Sequence, residues 1–464
     1  MFDVKDKRFA IVGMARSGIA AANYLRELGA TVSIYDMAPF VKVMDDALEL
    51  MNKGVTVYCE SNDIEFDETD IVVVSPGIKP DTPFFAEAEE LGIPVWSEVE
   101  LAYRLSPCPI LAVTGTNGKT TTCVMTGKIL KADGRDYFIG GNVAGHKTDR
   151  ITRNREAIPL IDCVRKALPE SVISAEISTF QLEQCHTFKP KAATLVNVGV
   201  DHLDRHKTVE VYRELKAKIF AFQDENCYSV LNADDEFVAS LKDKVPGKPL
   251  MFSTKKEVSE GCFLRDNNII LKINGEETPI ININDIPAPG FHNVMNAMAA
   301  CLMTWSVGVK PESMRKALSA FTGVSHRLEF VKTIDGVDYI NNSMCTNVDA
   351  ATASTLALKK PQVVICGGKD KGSDFMEFAK ALKEKAKFVI LIGVHRDMIE
   401  EKLTALEYTS CEKAATLEEA VKLAKGKAVS GDVVVLTPGC ASFDMFKSFE
   451  DRGDQFKAIV EQLL

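Results

Sequence analysis

Residues 110–122 read Ile-Leu-Ala-Val-Thr-Gly-Thr-Asn-Gly-Lys-Thr-Thr-Thr. An apolar strand runs to Val113, a glycine-containing turn follows, and a helix opens near Lys119. Such a turn points successive backbone N–H groups at phosphate oxygens, and the helix N-terminus adds partial positive charge. Lys119 has the reach to contact terminal phosphates, and the Thr120 hydroxyl can ligate Mg²⁺. Gly115, Thr116, Asn117, Gly118 and Thr121 complete the candidate cradle. The general phosphate-loop pattern places a glycine five residues before Gly118, where this chain has Val113, so the match is partial.

A second group of chemistry-bearing residues lies between 171 and 218. Glu176 sits within the apolar run Ser-Val-Ile-Ser-Ala-Glu-Ile-Ser. A carboxylate in such surroundings is costly unless it is paired or binds a metal. The segment Asn-Val-Gly-Val-Asp-His-Leu-Asp-Arg-His follows, with Asp201, His202, Asp204 and His206. These types could hold zinc, but no cysteine supports such a site, and oxygen-rich Mg²⁺ coordination suits a triphosphate better. Lys216 and Lys218 come next in a helical stretch.

A third signal opens the chain. Residues 13–18, Gly-Met-Ala-Arg-Ser-Gly, approximate the dinucleotide-binding turn, with Ala15 in place of its middle glycine. Asp36 ends the next strand, where an acid commonly accepts from a nucleotide sugar or base. Alone, these residues would suggest an NAD-dependent dehydrogenase. Nothing downstream offers a hydride-transfer site, while the turn at 115–120 demands a polyphosphate.

The elements that must position these residues alternate throughout. Short β-branched runs such as Arg8–Gly13, Ile71–Gly77 and Pro109–Gly115 are separated by helix-length amphipathic segments such as 17–30 and 416–428. Strands alternating with helices imply α/β architecture with parallel sheets. At roughly 150 residues per domain, 464 residues suggest about three domains. Breaks near Trp96–Pro109 and near Gly323 place them at 1–100, 101–323 and 324–464.

Composition narrows the function classes. Apolar residues make up 46% and charged residues 26%, ordinary values for a folded globular chain. A net charge of -10 gives no bulk electrostatic footprint for nucleic acid or an anionic membrane. No apolar run approaches the roughly 18–20 residues that span a bilayer. The first residues run directly into a folded pattern without a signal-peptide signature. Twelve cysteines with irregular spacing and no Cys-x-x-Cys pair read as buried thiols in a reducing cytoplasm. The expected partners are small molecules, with no nucleic acid and no membrane insertion, and the expected state is a cytoplasmic monomer.

Together these motifs resemble the Mur ligase family. Thr-Gly-Thr-Asn-Gly-Lys-Thr-Thr, Gly-Gly-Asn-Val-Ala-Gly, Glu-Ile-Ser-Thr-Phe-Gln-Leu-Glu, the 197–206 segment, Gly-Phe-His-Asn-Val-Met-Asn-Ala, Ser-His-Arg-Leu-Glu, Gly-Gly-Lys-Asp-Lys-Gly and the 437–453 segment occur in the family's order and span nearly the whole chain. The resemblance implies three α/β domains: a Rossmann-like N-terminal domain for a UDP-linked muropeptide, a central P-loop ATPase-type parallel sheet, and a Rossmann-like C-terminal domain for the amino acid. It implies an ATP-dependent, ADP-forming ligase that makes an acyl phosphate, which an amine then attacks. The implied reaction adds D-glutamate to UDP-N-acetylmuramoyl-L-alanine in peptidoglycan precursor synthesis.

The resemblance also implies roles. Lys119 and Thr120 would hold phosphates and one Mg²⁺, with Glu176 a further ligand of that ion. His202 would help hold a second Mg²⁺, bridged by Lys216 carbamylated with CO₂, with Lys218 as the alternative. Asn142 and His202 would contact the muropeptide. Asn293 and Asn296 would contact adenosine, and Arg327 and Asn342 would reach the nucleotide. Arg16, Ser17, Gly18, Asp36 and Ser75 would take the uridine end. Thr346, Lys371, Ser442 and Phe449 would receive the amino acid.

Three departures from the family pattern stand out. Asn342-Ser343-Met344 replaces an Asp-Ser-Lys segment, which leaves the amino acid open between D-glutamate, L-glutamate and a diamino acid. Met37-Ala38 replaces a polar pair beyond Asp36. The connection after Asn142 is long and carries Lys147, Arg150, Arg153 and Arg155, either as a solvated loop or against an anionic substrate.

Overall fold

The computed structural model describes residues 2–143, 158–199, 203–288, 290–370 and 373–463. The chain divides into two compact units, one ending at Phe321 and the other beginning at Thr322.

The first unit contains two sheets. The N-terminal sheet comprises β1 (Arg8–Val12), β2 (Thr31–Asp36), β3 (Thr56–Cys59), β4 (Ile71–Val74) and β5 (Val95–Ser97), in the order β3-β2-β1-β4-β5. Every pairing is parallel. The continuous apolar run Ile-Val-Val-Val of β4 is wholly buried, as a strand covered on both faces must be. The helix Arg16–Glu27 lays Ala20, Ala21, Ala22 and Leu25 against this core.

The larger sheet comprises β6 (Ile110–Thr114), β7 (Tyr137–Gly141), β8 (Val172–Glu176), β9 (Ala192–Leu195), β10 (Tyr228–Asn232), β11 (Lys248–Ser253), β12 (Gly261–Arg265), β13 (Asn268–Ile273) and β14 (Glu276–Asn282). Their order is β14-β13-β12-β11-β10-β9-β6-β8-β7. From β7 to β12 the pairings are parallel, whereas β12, β13 and β14 form an antiparallel meander. The meander follows from its two-residue turns. Asp266-Asn267 and Asn274-Gly275 all take left-handed φ, as the tight hairpin turn that matches strand twist requires.

The second unit holds β15 (Glu329–Ile334), β16 (Val337–Asn341), β17 (Gln362–Gly367), β18 (Ala386–Ile392), β19 (Cys411–Lys413) and β20 (Val433–Leu436), ordered β15-β16-β20-β17-β18-β19. Only β15 is antiparallel, joined to β16 through the left-handed pair Asp335-Gly336. Apolar clusters lie on both faces of this sheet.

The α/β expectation therefore holds, with antiparallel hairpins added at the edges. In open parallel sheets, ligands bind beyond strand carboxyl ends where the strand order reverses. Here those points are β1/β4, β6 between β8 and β9, and β16/β20/β17. Among the described residues, no helix is long and apolar enough to cross a membrane. All twelve cysteines are free thiols, nine of them buried.

Candidate functional site

The turn after β6 delivers Gly115–Thr120 to the centre of the large sheet, and the helix Lys119–Ala132 leaves from it. Gly118 caps that helix with φ +81°, and a Cβ there would meet Asn296 Oδ1 at 2.5 Å. Only glycine lets the loop pass so close to the helix His292–Trp305. That helix supplies both asparagines. Asn296 Oδ1 accepts from Thr122 Oγ1 at 3.2 Å, and Asn296 Nδ2 donates to Asn293 Oδ1 at 3.2 Å.

Lys119 folds back on its own loop, donating to Gly115 O at 2.9 Å and Thr116 O at 3.0 Å. Beneath it lies Glu176, the last residue of β8, only 3% exposed. Its two oxygens accept from side chains on either side, Thr120 Oγ1 at 2.7 Å and Asn142 Nδ2 at 3.1 Å. The structure thus joins three residues that are remote in sequence around one buried carboxylate. Asn142 is placed by Gly141, where φ is +88° and a Cβ would lie 2.3 Å from Glu176 O.

The helix Val209–Ala217 brings Lys216 to the same loop. Lys216 is 2% exposed, donates to Gly115 O at 2.8 Å, and lies 4.6 Å over the Tyr212 ring. Two ammonium groups, from Lys119 and Lys216, therefore share one carbonyl oxygen. Lys218 points elsewhere, to Glu183 O at 2.8 Å, and burial lowers its pKa. His206 is buried on Thr179 Oγ1 at 3.0 Å. His202 and Asp201 lie outside the described residues, as does the 147–155 basic cluster. Among the described residues no three His, Cys, Asp or Glu side chains cluster as a metal cage.

At the N-terminal sheet, Gly13 (φ +102°) and Gly18 close the turn. A Cβ on Gly18 would lie 1.9 Å from Gly13 O. Ser75, at the end of β4, donates to Gly13 O at 3.1 Å across the β1/β4 switch point. Asp36 accepts from the backbone N–H groups of Met14 at 2.6 Å and Ala38 at 2.8 Å. Arg16 and Ser17 open the helix that follows and are partly exposed.

In the second unit, the residues expected to receive the amino acid sit beyond β16 and β20. Ser442 is buried, and Thr346 and Phe449 are partly exposed. Phe449 O accepts from Ser343 Oγ at 2.7 Å. Lys371 lies outside the described residues. Arg327 stands between His326 and Leu328, whose φ values of +63° and +44° are both left-handed. Asn342 Oδ1 accepts from Leu328 N–H at 3.1 Å and so pins the segment that carries Arg327. His326 is buried, with its pKa lowered by burial and by Lys457.

Family models match the chain in three stretches and define a ligase class. Residues 7–97 match the Mur ligase MurD-like N-terminal domain, 113–304 the Mur ligase middle domain, and 326–440 the Mur ligase glutamate ligase domain. The chain belongs to the Mur ligase family, whose members use ATP and Mg²⁺. It is 41% identical, over 99% of both chains, to UDP-N-acetylmuramoylalanine–D-glutamate ligase of Thermoanaerobacter sp. (strain X514). Identity to the same-named ligase of Pelotomaculum thermopropionicum is also 41%, over 99% of both. In fold it is similar to the crystal structure of UDP-N-acetylmuramate-alanine ligase MurC from Thermotoga maritima, with a TM-score of 0.57 and 21% identity, covering 98% of this chain and 99% of that one.

Several residues around the site escaped sequence reading. Asn197, beyond β9, accepts from Asn117 N–H at 2.8 Å and returns a bond to Asn117 O at 3.1 Å. Tyr212 Oη lies 3.1 Å from Thr116 Oγ1. Glu98 is buried, with Oε1 accepting from Gln181 Nε2 at 2.7 Å and Oε2 without a partner. Burial pushes its pKa up to about 7. Arg452 is fully buried. The signal available for Glu98 was a charge inside an otherwise core-facing helical pattern.

Proposed function

We propose that this chain joins D-glutamate to UDP-N-acetylmuramoyl-L-alanine in the cytoplasm, with conversion of ATP to ADP and phosphate, for peptidoglycan precursor synthesis. The full-length similarity to ligases of that name carries this reading. The three domains would be 1–100, 101–323 and 324–464, acting in a monomer.

The acceptor's carboxylate attacks the γ-phosphorus of ATP, giving an acyl phosphate and ADP. The amine of D-glutamate then attacks the acyl carbon, and phosphate leaves. Such chemistry needs phosphate positioning, charge neutralisation and exclusion of water. Lys119 with the 115–121 loop holds the phosphates, Asn293 and Asn296 flank adenosine, and Arg327 and Asn342 are further residues assigned to the nucleotide. Hydroxyl and carboxylate oxygens suit Mg²⁺, which usually takes one or two protein carboxylates plus substrate phosphates. Thr120, Glu176, His202 and carbamylated Lys216 would hold two such ions, which neutralise the transferring phosphoryl group when bound. The hydrogen bond from Lys216 to the phosphate loop supports it over Lys218. Arg16, Ser17, Gly18, Asp36 and Ser75 take the uridine end, and Asn142 with His202 faces the muropeptide. Thr346, Lys371, Ser442 and Phe449 receive the amino acid.

The test is phosphate release on mixing the protein with ATP, Mg²⁺, UDP-N-acetylmuramoyl-L-alanine and D-glutamate. Release with a different amino acid only, in a parallel panel, would overturn the D-glutamate assignment and leave the ligase class standing.

A further inference from the structure

Arg452 lies in the helix Phe449–Glu461 of the second unit and is only 1% exposed. All three guanidinium nitrogens donate hydrogen bonds, none of them to a carboxylate. Nε donates to Ser343 Oγ at 2.9 Å, and Nη2 to Ser343 O at 2.9 Å. Nη1 and Nη2 both donate to Cys440 O at 3.2 Å. Asp444 acts on it through space only, since Asp444 Oδ2 accepts from Val394 N–H at 3.0 Å and Oδ1 is buried without a partner. Burial lowers the guanidinium's pKa to about 10, which leaves it charged at neutral pH.

A buried cation without a paired anion is costly, and an apolar side chain of similar volume would ordinarily serve packing better. The charge therefore has a use beyond filling space. It lies where three chain segments meet beyond the strand carboxyl ends. The first is 341–346, which runs to Thr346. The second is 440–442, which ends at Ser442. The third is the start of its own helix at Phe449, held through Ser343 Oγ, which donates to Phe449 O. Gly368 closes the group, since a Cβ there would lie 3.4 Å from Arg452 Nη1 and 2.4 Å from Ala441 O.

We infer that Arg452 is a positioning and specificity-determining residue: its buried guanidinium fixes the 343–346 and 440–442 segments and supplies the positive field that makes this end of the sheet select a net-anionic amino acid. The inference rests on the proposed use of D-glutamate. Its chemistry is complementary: the substrate's negative charge provides the counter-charge that the protein withholds from this cation.

The experiment compares the full-length wild type with Arg452→Gln, which keeps hydrogen-bond donors but not the charge, and Arg452→Lys, which keeps the charge but not the fork. The quantity read is discrimination: the inhibition constant of D-glutamine divided by the KM for D-glutamate. Arg452→Gln should lower discrimination at least tenfold, and Arg452→Lys should hold it within about threefold of wild type. KM for ATP should stay within about twofold in both, and unfolding curves establish that both fold. Equal losses toward D-glutamate and D-glutamine in Arg452→Gln, leaving the ratio unchanged, would reduce Arg452 to a structural strut and overturn the inference. Identical discrimination in the two variants would also overturn it. A wild type inactive with D-glutamate would instead defeat the functional reading on which the inference rests.

Discussion

Two strand-to-helix turns of the first unit invite comparison. Both follow a parallel strand at a switch point, both depend on glycine, and each lies beside one acid. At the N-terminal turn, Asp36 is satisfied by backbone amides, those of Met14 and Ala38. At the phosphate loop, Glu176 is satisfied by two side chains, Thr120 and Asn142. Backbone donors cannot leave without unfolding the turn, whereas side-chain donors can rotate away and yield the carboxylate to another partner. The difference separates an acid that builds its turn from an acid that the turn keeps available.

The largest effect that would sharpen this contrast is expected at the loop lysine. Lys119→Ala should lower phosphate release by on the order of 10³-fold, the scale for removing a preorganised charge-stabilising donor. Its contacts are to carbonyls of its own loop, so thermal unfolding should barely move. Near-normal turnover would show that this loop is not where ATP reacts.

Lys216→Ala comes next, with a loss on the order of 10²-fold. Acetate should restore part of the activity by standing in for the carbamate, while Lys218→Ala should remain active. Rescue confined to the Lys218 variant would move the modified residue to that position.

The contrast reverses at Asp36. Asp36→Ala leaves two backbone N–H groups without acceptors, so denaturant unfolding should show a loss of about 1–3 kcal/mol. Turnover at saturating substrate should fall far less than in the Lys119 variant. A large kcat loss with unchanged stability would make Asp36 the same kind of acid as Glu176.

Glu98 gives the most local effect, on stability alone and within one pH window. An ordinary glutamate titrates near 4.5, whereas burial holds Glu98 protonated up to about 7. Between those values the native state binds more protons than the unfolded chain. Stability therefore falls as pH rises from about 4.5 to about 7, then levels off. Glu98→Gln should remove about 2–3 kcal/mol of that decline. Denaturant midpoints at pH 5 and pH 8 measure it, and an unchanged difference would mean that Glu98 does not titrate in this window.

Much of the fold was legible because its signals are local. β-branched runs marked the parallel strands, and glycines marked the turns after β1 and β6. The antiparallel β12–β14 strands were not read, although Asn274-Gly275 is a strong hairpin signal and Ile269–Leu271 a short buried apolar run, because β14 opens on exposed polar residues. The site was legible where chemistry is written in one segment, as in residues 115–121. It was less legible where partners come from distant elements. Helical spacing does not separate Lys216 from Lys218, since both lie in one short helical stretch, whereas the structure seats Lys216 on Gly115 O and Lys218 on Glu183 O. Arg452 sits in a quoted motif, yet nothing in its neighbours signals that its charge is buried against carbonyls.

The carbonyl of Gly115 has a consequence for ligand choice. With two ammonium groups seated on one oxygen, each lysine already has a partner within the protein. An anion that offers a single oxygen would exchange one contact for another and gain little, because the net worth of a hydrogen bond is the difference between two partners. With the carbamate proposed for Lys216, Lys119 alone would remain to exchange Gly115 O for a phosphate oxygen.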